Sequence, residues 1–293
     1  MDRILPALIV VLLIMIGTSL SFVVLRAPDP AAEAGLAFGY TEGNLNAVAW
    51  VQTAGEYEAT TRQAYSIAAV MLERGLADTS WTASLEQAAT GGYQSLPPAV
   101  ILDVDETVLD NSPNQARQVL EDRDFGVLGW QEWVREEKAA VVPGALQFTR
   151  TAAERGVRVF YVTNRRQPLE DATRSNLMQH GFPLDPDVDT IFTRDERSGW
   201  GSDKGTRRQV VAGDYRILLL MGDALGDFVS GDDVAAQQRK EIVGQHADYW
   251  GSRWIVLPNP QYGAWDGALI GFDYALSRGE KRILKRAALD PAR

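Results

Sequence analysis

Four short apolar runs separated by helix-like segments constrain this chain more than any other feature. Ala99–Leu102, Val159–Val162, Ile217–Met221 and the run inside Arg253–Pro260 are continuously apolar rather than alternating. That is the pattern of strands buried on both faces. Between them, Ala145–Arg155, Pro168–His180 and Lys204–Ala212 read as helices. The alternation predicts a three-layer α/β/α parallel sheet. Ligands in such sheets bind beyond the carboxyl ends of the strands, and three of the runs release polar groups there: Asp103 and Asp105, then Thr163 and Asn164, then Asp223 and Asp227.

The first of these edges, "AVILDVDETVLDNS", poses an electrostatic problem. Strand side chains alternate, so Asp103 and Asp105 emerge on one side. Carboxylates that close raise each other's pKa unless a cation sits between them or one keeps a proton. A lone D-x-D is more often simply a polar strand end in water. Composition narrows the partners. With 293 residues, 45% hydrophobic, the chain has ample core; a net charge of −10 leaves no diffuse basic surface for a nucleic-acid duplex. An anionic substrate has to be captured locally. The absence of cysteine removes disulfides, thiolate metal sites and Cys nucleophiles together.

Residues 1–26 contain the uncharged run Ile4–Leu25, long enough to cross the roughly 30 Å hydrocarbon core as a helix. It predicts an N-terminal membrane anchor, with a cleaved signal segment as the alternative. Arg3 before the run, and Asp29 and Glu33 after it, orient the body toward an extracytoplasmic (periplasmic or cell-surface) location. A Pro/Ala-rich linker follows (27–43). Residues 44–98 read as a helical N-terminal portion, 99–280 as the core, and 281–293 as a C-terminal tail.

Taken in order, "ILDVDETVLDNS", "YVTNR", "DKGTRR" and "LLLMGDALGDF", preceded by the helix-like "AWVQTAGEYEATTRQAY", resemble the haloacid dehalogenase superfamily, and within it the class C (four-aspartate) bacterial acid phosphatases and 5'-nucleotidases. The resemblance runs from about Ala49 to about Gly271 and implies a Rossmann-like sheet with an added N-terminal helical part. Val104 stands where the family usually has Ile or Leu. Asn114 stands where it has an aromatic, which changes a pocket wall rather than a reacting group.

Phosphate monoester chemistry fits these residues. Asp103 is the expected nucleophile, through an aspartyl-phosphate, and Asp105 the general acid and then base. Hard oxygen ligands without nearby His or Cys favour Mg²⁺, held by the Asp103 side chain, the Asp105 carbonyl and the Asp223 side chain. Thr163 and Asn164 are expected to contact the phosphoryl oxygens, and Asp227 to orient Lys204 or a metal-bound water. The resemblance makes Lys204 the cation that neutralises nucleophile and phosphate. Arg165, with Arg166, Arg207 and Arg208, is expected to add a positive field that draws the substrate. Trp130 and Tyr262 align with the aromatic pair that sandwiches the leaving-group ring, a nucleobase or nicotinamide, while Trp133 is expected to face a helix core. Because Asp105 has to carry a proton when the leaving group departs, the rate is expected to peak below about pH 7. The expected activity is hydrolysis of small phosphomonoesters, with phosphoryl transfer to an alcohol or a non-catalytic binding role on the same fold as alternatives. A homo-oligomer stays open.

Overall fold

The computed structural model describes Val11–Ile16, Ser19–Val24 and residues 42–292. β1 (Val11–Ile16) and β2 (Ser19–Val24) pair antiparallel with each other, Val11 opposite Val24. Where the stretch Ile4–Leu25 is described it is therefore strand rather than the expected spanning helix. The remainder of it, and nearly all of the linker at 27–43, lie outside the described residues. A continuous apolar run has no period by which strand and helix differ. Among the described residues no helix is long and apolar enough to cross a membrane.

The body is built on β3 (Pro98–Leu102), a small antiparallel pair made by β4 (Leu109–Asp110) and β5 (Ala140–Val141), then β6 (Arg158–Arg166), β7 (Ile191–Arg194), β8 (Arg216–Gly222) and β9 (Trp254–Val256). Five of these form one parallel sheet in the order β7-β6-β3-β8-β9. Four of the five are the predicted apolar runs. The fifth, β7, escaped prediction because "IFTR" is short and stands between Asp189 and Asp195 rather than in an apolar block.

Both faces of the sheet are covered, as the lack of alternation requires. Val100, Leu102, Val159, Tyr161 and Leu218 pack on one side against Tyr65, Ala68 and Leu72 of the helix Gly55–Ala77 and Phe148 of the helix Ala145–Glu154. Ala99, Ile101, Phe160, Val162, Ile217 and Leu220 pack on the other against Trp200, Val211 and Phe228. Leu218 and Leu219 face the same way, a break in alternation that coincides with a register shift between β3 and β8 at Ala99/Val100. The helices of residues 44–98 are thus one layer of the same core. Trp81 seals that junction, its indole N–H donating to the Leu218 carbonyl at 2.8 Å. The boundary expected at residue 280 falls inside the helix Arg278–Ala287, which is fastened to the body through Arg278 on Asp122 and Asp124.

Parallel register sets the site. Leu102 lies opposite Tyr161 on one side and Met221 on the other. Just beyond those three residues, Asp103, Thr163 and Asp223 gather at the carboxyl end of the sheet.

Candidate active site

Asp103 is the first residue past β3, and its backbone N–H continues the ladder by donating to the Met221 carbonyl at 2.9 Å. Lys204 stands at the start of the helix Gly205–Asp214 and reaches into the same space. Its ammonium donates to Asp103 Oδ1 and, at 2.6 Å, to Asp227 Oδ1. Asp227 closes the one-turn helix Leu225–Asp227 and accepts the Ala224 N–H at 2.9 Å. Gly222 is obligatory beneath it: a Cβ there would lie 2.1 Å from Asp227 Oδ2. Asp223 completes the group, held by the Asn259 amide at 2.7 Å.

Oxygens of Asp103, Asp223 and Asp227 lie within 4.8 Å of one another. Burial pushes Asp103 up to about 7; Lys204 opposes the rise, and Asp227 and Asp105 add to it. Burial, then Asp227 and Asp103, hold Asp223 well above the usual carboxylate range. Burial pulls the Lys204 ammonium down, but Asp103 and Asp227 outweigh it and keep the pKa above its ordinary value. One ammonium is too little charge for three crowded carboxylates. The donor set, three hard oxygens in a buried cleft, suits a divalent cation of the Mg²⁺ type.

Stability follows with a definite sign. In protein stripped of divalent cations, the melting temperature is expected to fall as pH rises from about 4 to about 8. Unfolded carboxyls lose their protons near the ordinary value, whereas the folded chain keeps one at Asp103 to about 7 and holds Asp223 well above the usual carboxylate range. The folded state therefore binds more protons through that window, and its advantage is lost as pH passes the folded values. Adding Mg²⁺ is expected to reduce the slope. Calorimetry across pH measures it, and a melting temperature that climbs with pH in the cation-free protein contradicts the reading.

The Asp105 side chain turns away from this cluster. Its Oδ1 accepts from Arg165 Nε at 3.0 Å, Arg165 Nη2 at 2.8 Å and Asn111 Nδ2 at 2.9 Å, and its Oδ2 lies 3.5 Å from the Thr163 hydroxyl. Arg165 was expected to bind substrate; in the structure its hydrogen bonds run inside the protein. It is 2% exposed, and its remaining N–H groups go to Thr173 Oγ1 and Asn111 Oδ1. A buried guanidinium has to satisfy its donors within the protein, and here they hold Asp105. Asn164 is likewise engaged, donating to the Ser202 carbonyl and accepting from Arg207. Arg207 and Arg208 are buried with donors on backbone carbonyls of Thr163 and Gly226. Their charge still contributes to the local field, but their hydrogen bonds shape the loops. Arg166 is exposed and pairs with Asp195.

Trp130 lies in the helix Val127–Glu136 with the Arg165 guanidinium 5.6 Å from its ring centre. Tyr262 enters from the far end of the chain and its hydroxyl donates to Glu106. Burial and then the Glu106 charge hold that phenol well above its usual value. Trp133 is buried as expected, with its indole N–H on Asn111 Oδ1 at 2.8 Å. Asn114, in the helix Ser112–Leu120, is buried with its Nδ2 unpartnered.

Sequence reasoning missed Glu106, Asn111 and Asn259. The first two stand in the same acidic segment as Asp103 and could have been noticed as polar residues ahead of a half-buried helix. Nothing in "LPNPQY" distinguishes Asn259 from an ordinary turn residue.

The pattern of the HAD superfamily, subfamily IIIB (acid phosphatase), matches residues 40–265. This chain belongs to that family. Its fold is similar to that of a solved relative, the class C acid phosphatase of Bacillus anthracis, at 32% identity over 86% of this chain and 98% of that one, with a TM-score of 0.74. A second structure of the Bacillus anthracis enzyme, with tungstate bound, matches at 31% identity over 85% of this chain and 98% of that chain, again with a TM-score of 0.74. Among curated plant proteins, the chain is 24% identical over 169 residues to the stem 31 kDa glycoprotein of Glycine max and 26% identical over 166 residues to acid phosphatase 1 of Solanum lycopersicum. Each match spans 55% of this chain, and the chain spans 58% and 57% of those relatives.

Proposed function

We propose that this acid phosphatase family member is a Mg²⁺-dependent phosphomonoesterase acting on nucleoside monophosphates and similar small esters through an aspartyl-phosphate on Asp103. The observation that carries the reading is the buried Asp103–Lys204–Asp227 ion-pair chain with Asp223 against it. The Bacillus anthracis relative has been solved with tungstate, a tetrahedral oxyanion, bound, which supports a phosphate-shaped site in this family member.

Asp103 attacks phosphorus in line with the ester oxygen. Lys204 offsets the negative charge of nucleophile and phosphate, which otherwise repel. Asp105 gives its proton to the departing alkoxide and then takes one from the water that opens the aspartyl-phosphate. Arg165, Asn111 and Thr163 hold Asp105 in one orientation for both steps. Asp103 and Asp223, with the Asp105 carbonyl, would hold Mg²⁺, which when bound would add charge stabilisation for the transferring oxygens, and Asp227 would steady Lys204. Trp130 and Tyr262 would flank the leaving-group ring, a contact of roughly 1–3 kcal/mol per base.

The full-length chain in detergent, assayed against nucleotides, nicotinamide mononucleotide, sugar phosphates and an aryl phosphate, is expected to hydrolyse ring-bearing esters best. Mg²⁺ should support the activity, EDTA abolish it, and the rate should peak below about pH 7. Equal rates with EDTA and Mg²⁺ would refute metal dependence; indifference to ring-bearing leaving groups would remove the roles of Trp130 and Tyr262. The apolar run Ile4–Leu25 supports a membrane-anchored, extracytoplasmic site of action. Recovery of the intact chain in a detergent-free soluble fraction would contradict the anchor.

A further inference from the structure

Glu106 has no part in the chemistry above, yet it is buried at the site and its backbone is tightly constrained. It is 1% exposed and its backbone has φ +54°, a left-handed conformation that a side chain longer than Asn seldom adopts. The backbone is fixed there by its own N–H, which donates to the Leu109 carbonyl at 2.8 Å. The carboxylate is surrounded by donors. Oε1 accepts the Asn111 backbone N–H at 2.9 Å; Oε2 accepts Asn111 Nδ2 at 3.2 Å and the Tyr262 hydroxyl. The same Asn111 Nδ2 donates to Asp105 Oδ1 at 2.9 Å. A continuous hydrogen-bonded path thus joins Tyr262, Glu106, Asn111 and Asp105, and it links residues that are 156 positions apart in the chain.

We propose that Glu106 is a positioning residue that ties the aromatic wall at Tyr262 to the loop carrying Asp105, so that one buried carboxylate sets both the leaving-group pocket and the placement of the proton donor. The inference rests on the phosphomonoesterase reading. A carboxylate is required chemically: all three contacts to Glu106 come from donors, and a glutamine would bring N–H groups of its own to one of those positions. The two functions are coupled through Asn111, whose single Nδ2 serves Glu106 and Asp105 together. Loss of the Tyr262 hydroxyl is therefore felt at Asp105, even by a substrate without a ring to stack.

The test is a double-mutant cycle on the full-length chain with Mg²⁺, using glycerol phosphate as a ringless ester and an aryl phosphate as a ring-bearing one. Glu106→Gln is expected to lower kcat on glycerol phosphate by about tenfold, the size seen when groups that orient a reacting residue are removed. On the aryl phosphate the same variant is expected to raise KM as well. Tyr262→Phe, which removes one oxygen, should lower kcat on glycerol phosphate in the same direction. The double variant should be no worse than the worse single one, because both cut the same path. A Glu106→Gln protein with both parameters within about twofold of the parent, or losses that add in the double variant, overturns the proposal. Should Glu106→Gln fail to fold, the kcat of Tyr262→Phe on glycerol phosphate decides: unchanged, it refutes the coupling. A parent chain inactive on every ester refutes the phosphomonoesterase reading instead, so the two failures are told apart.

Discussion

Asp103→Asn is expected to reduce kcat by on the order of 10⁴-fold or more, leaving no burst of bound phosphate. An amide oxygen is a poor nucleophile toward a phosphate dianion, and no other carboxylate can replace it: Asp105 is held by Arg165, and Asp223 and Asp227 are tied to Asn259 and Lys204. The variant should nevertheless fold. Burial and neighbouring acids push Asp103 up to about 7, so removing its charge relieves repulsion, while Lys204 keeps Asp227. At about pH 8 without divalent cations, the melting temperature of the variant is expected to equal or exceed that of the parent. Calorimetry and a steady-state assay on one preparation check both halves. A variant with more than a few per cent of parental turnover, or one inactive because it is unfolded, defeats the argument.

Lys204→Met is expected to damage both stability and rate. The ammonium is buried between Asp103 and Asp227, and removing one partner of a buried ion pair leaves an uncompensated charge, a loss of about 3–5 kcal/mol. The loss should shrink on acidification, when the stranded acids take up protons, and on addition of Mg²⁺. Turnover is expected to fall by about 10²–10³-fold, the range found when one preorganised donor to a developing negative charge is deleted. Denaturant titration at two pH values, with and without Mg²⁺, reads the first effect; kcat reads the second. A stability change below about 1 kcal/mol together with kcat within tenfold would show that Lys204 is not the keystone of the cluster.

The sheet and the acids were legible for one reason: strands buried on both faces are continuous apolar runs, and the polar residues that follow them mark the binding edge. Arg165 shows where the reading stopped short. β6 does not end at Val162 but extends through Arg166, and its alternation turns Thr163 and Arg165 inward and Asn164 and Arg166 outward. Carrying the period of two past the apolar core would have put Thr163 and Arg165 on the inward side, with Asp105. Glu106 was beyond sequence because its side-chain contact to Tyr262 depends on a residue 156 positions away. The N-terminal apolar run was ambiguous in principle, since without a polar face nothing separates strand from helix. Trp133 was legible as a core residue, though its hydrogen bond to Asn111 depends on the loop after β3.

The most direct test of the account is whether phosphate becomes covalently attached to Asp103. Parent chain mixed with radiolabelled phosphomonoester and Mg²⁺, then quenched in acid within a single turnover, should carry label on the peptide containing Asp103, discharged by hydroxylamine as an acyl phosphate is. Label absent from that peptide while product phosphate is released, or label retained by Asp103→Asn, would contradict the covalent mechanism at this site.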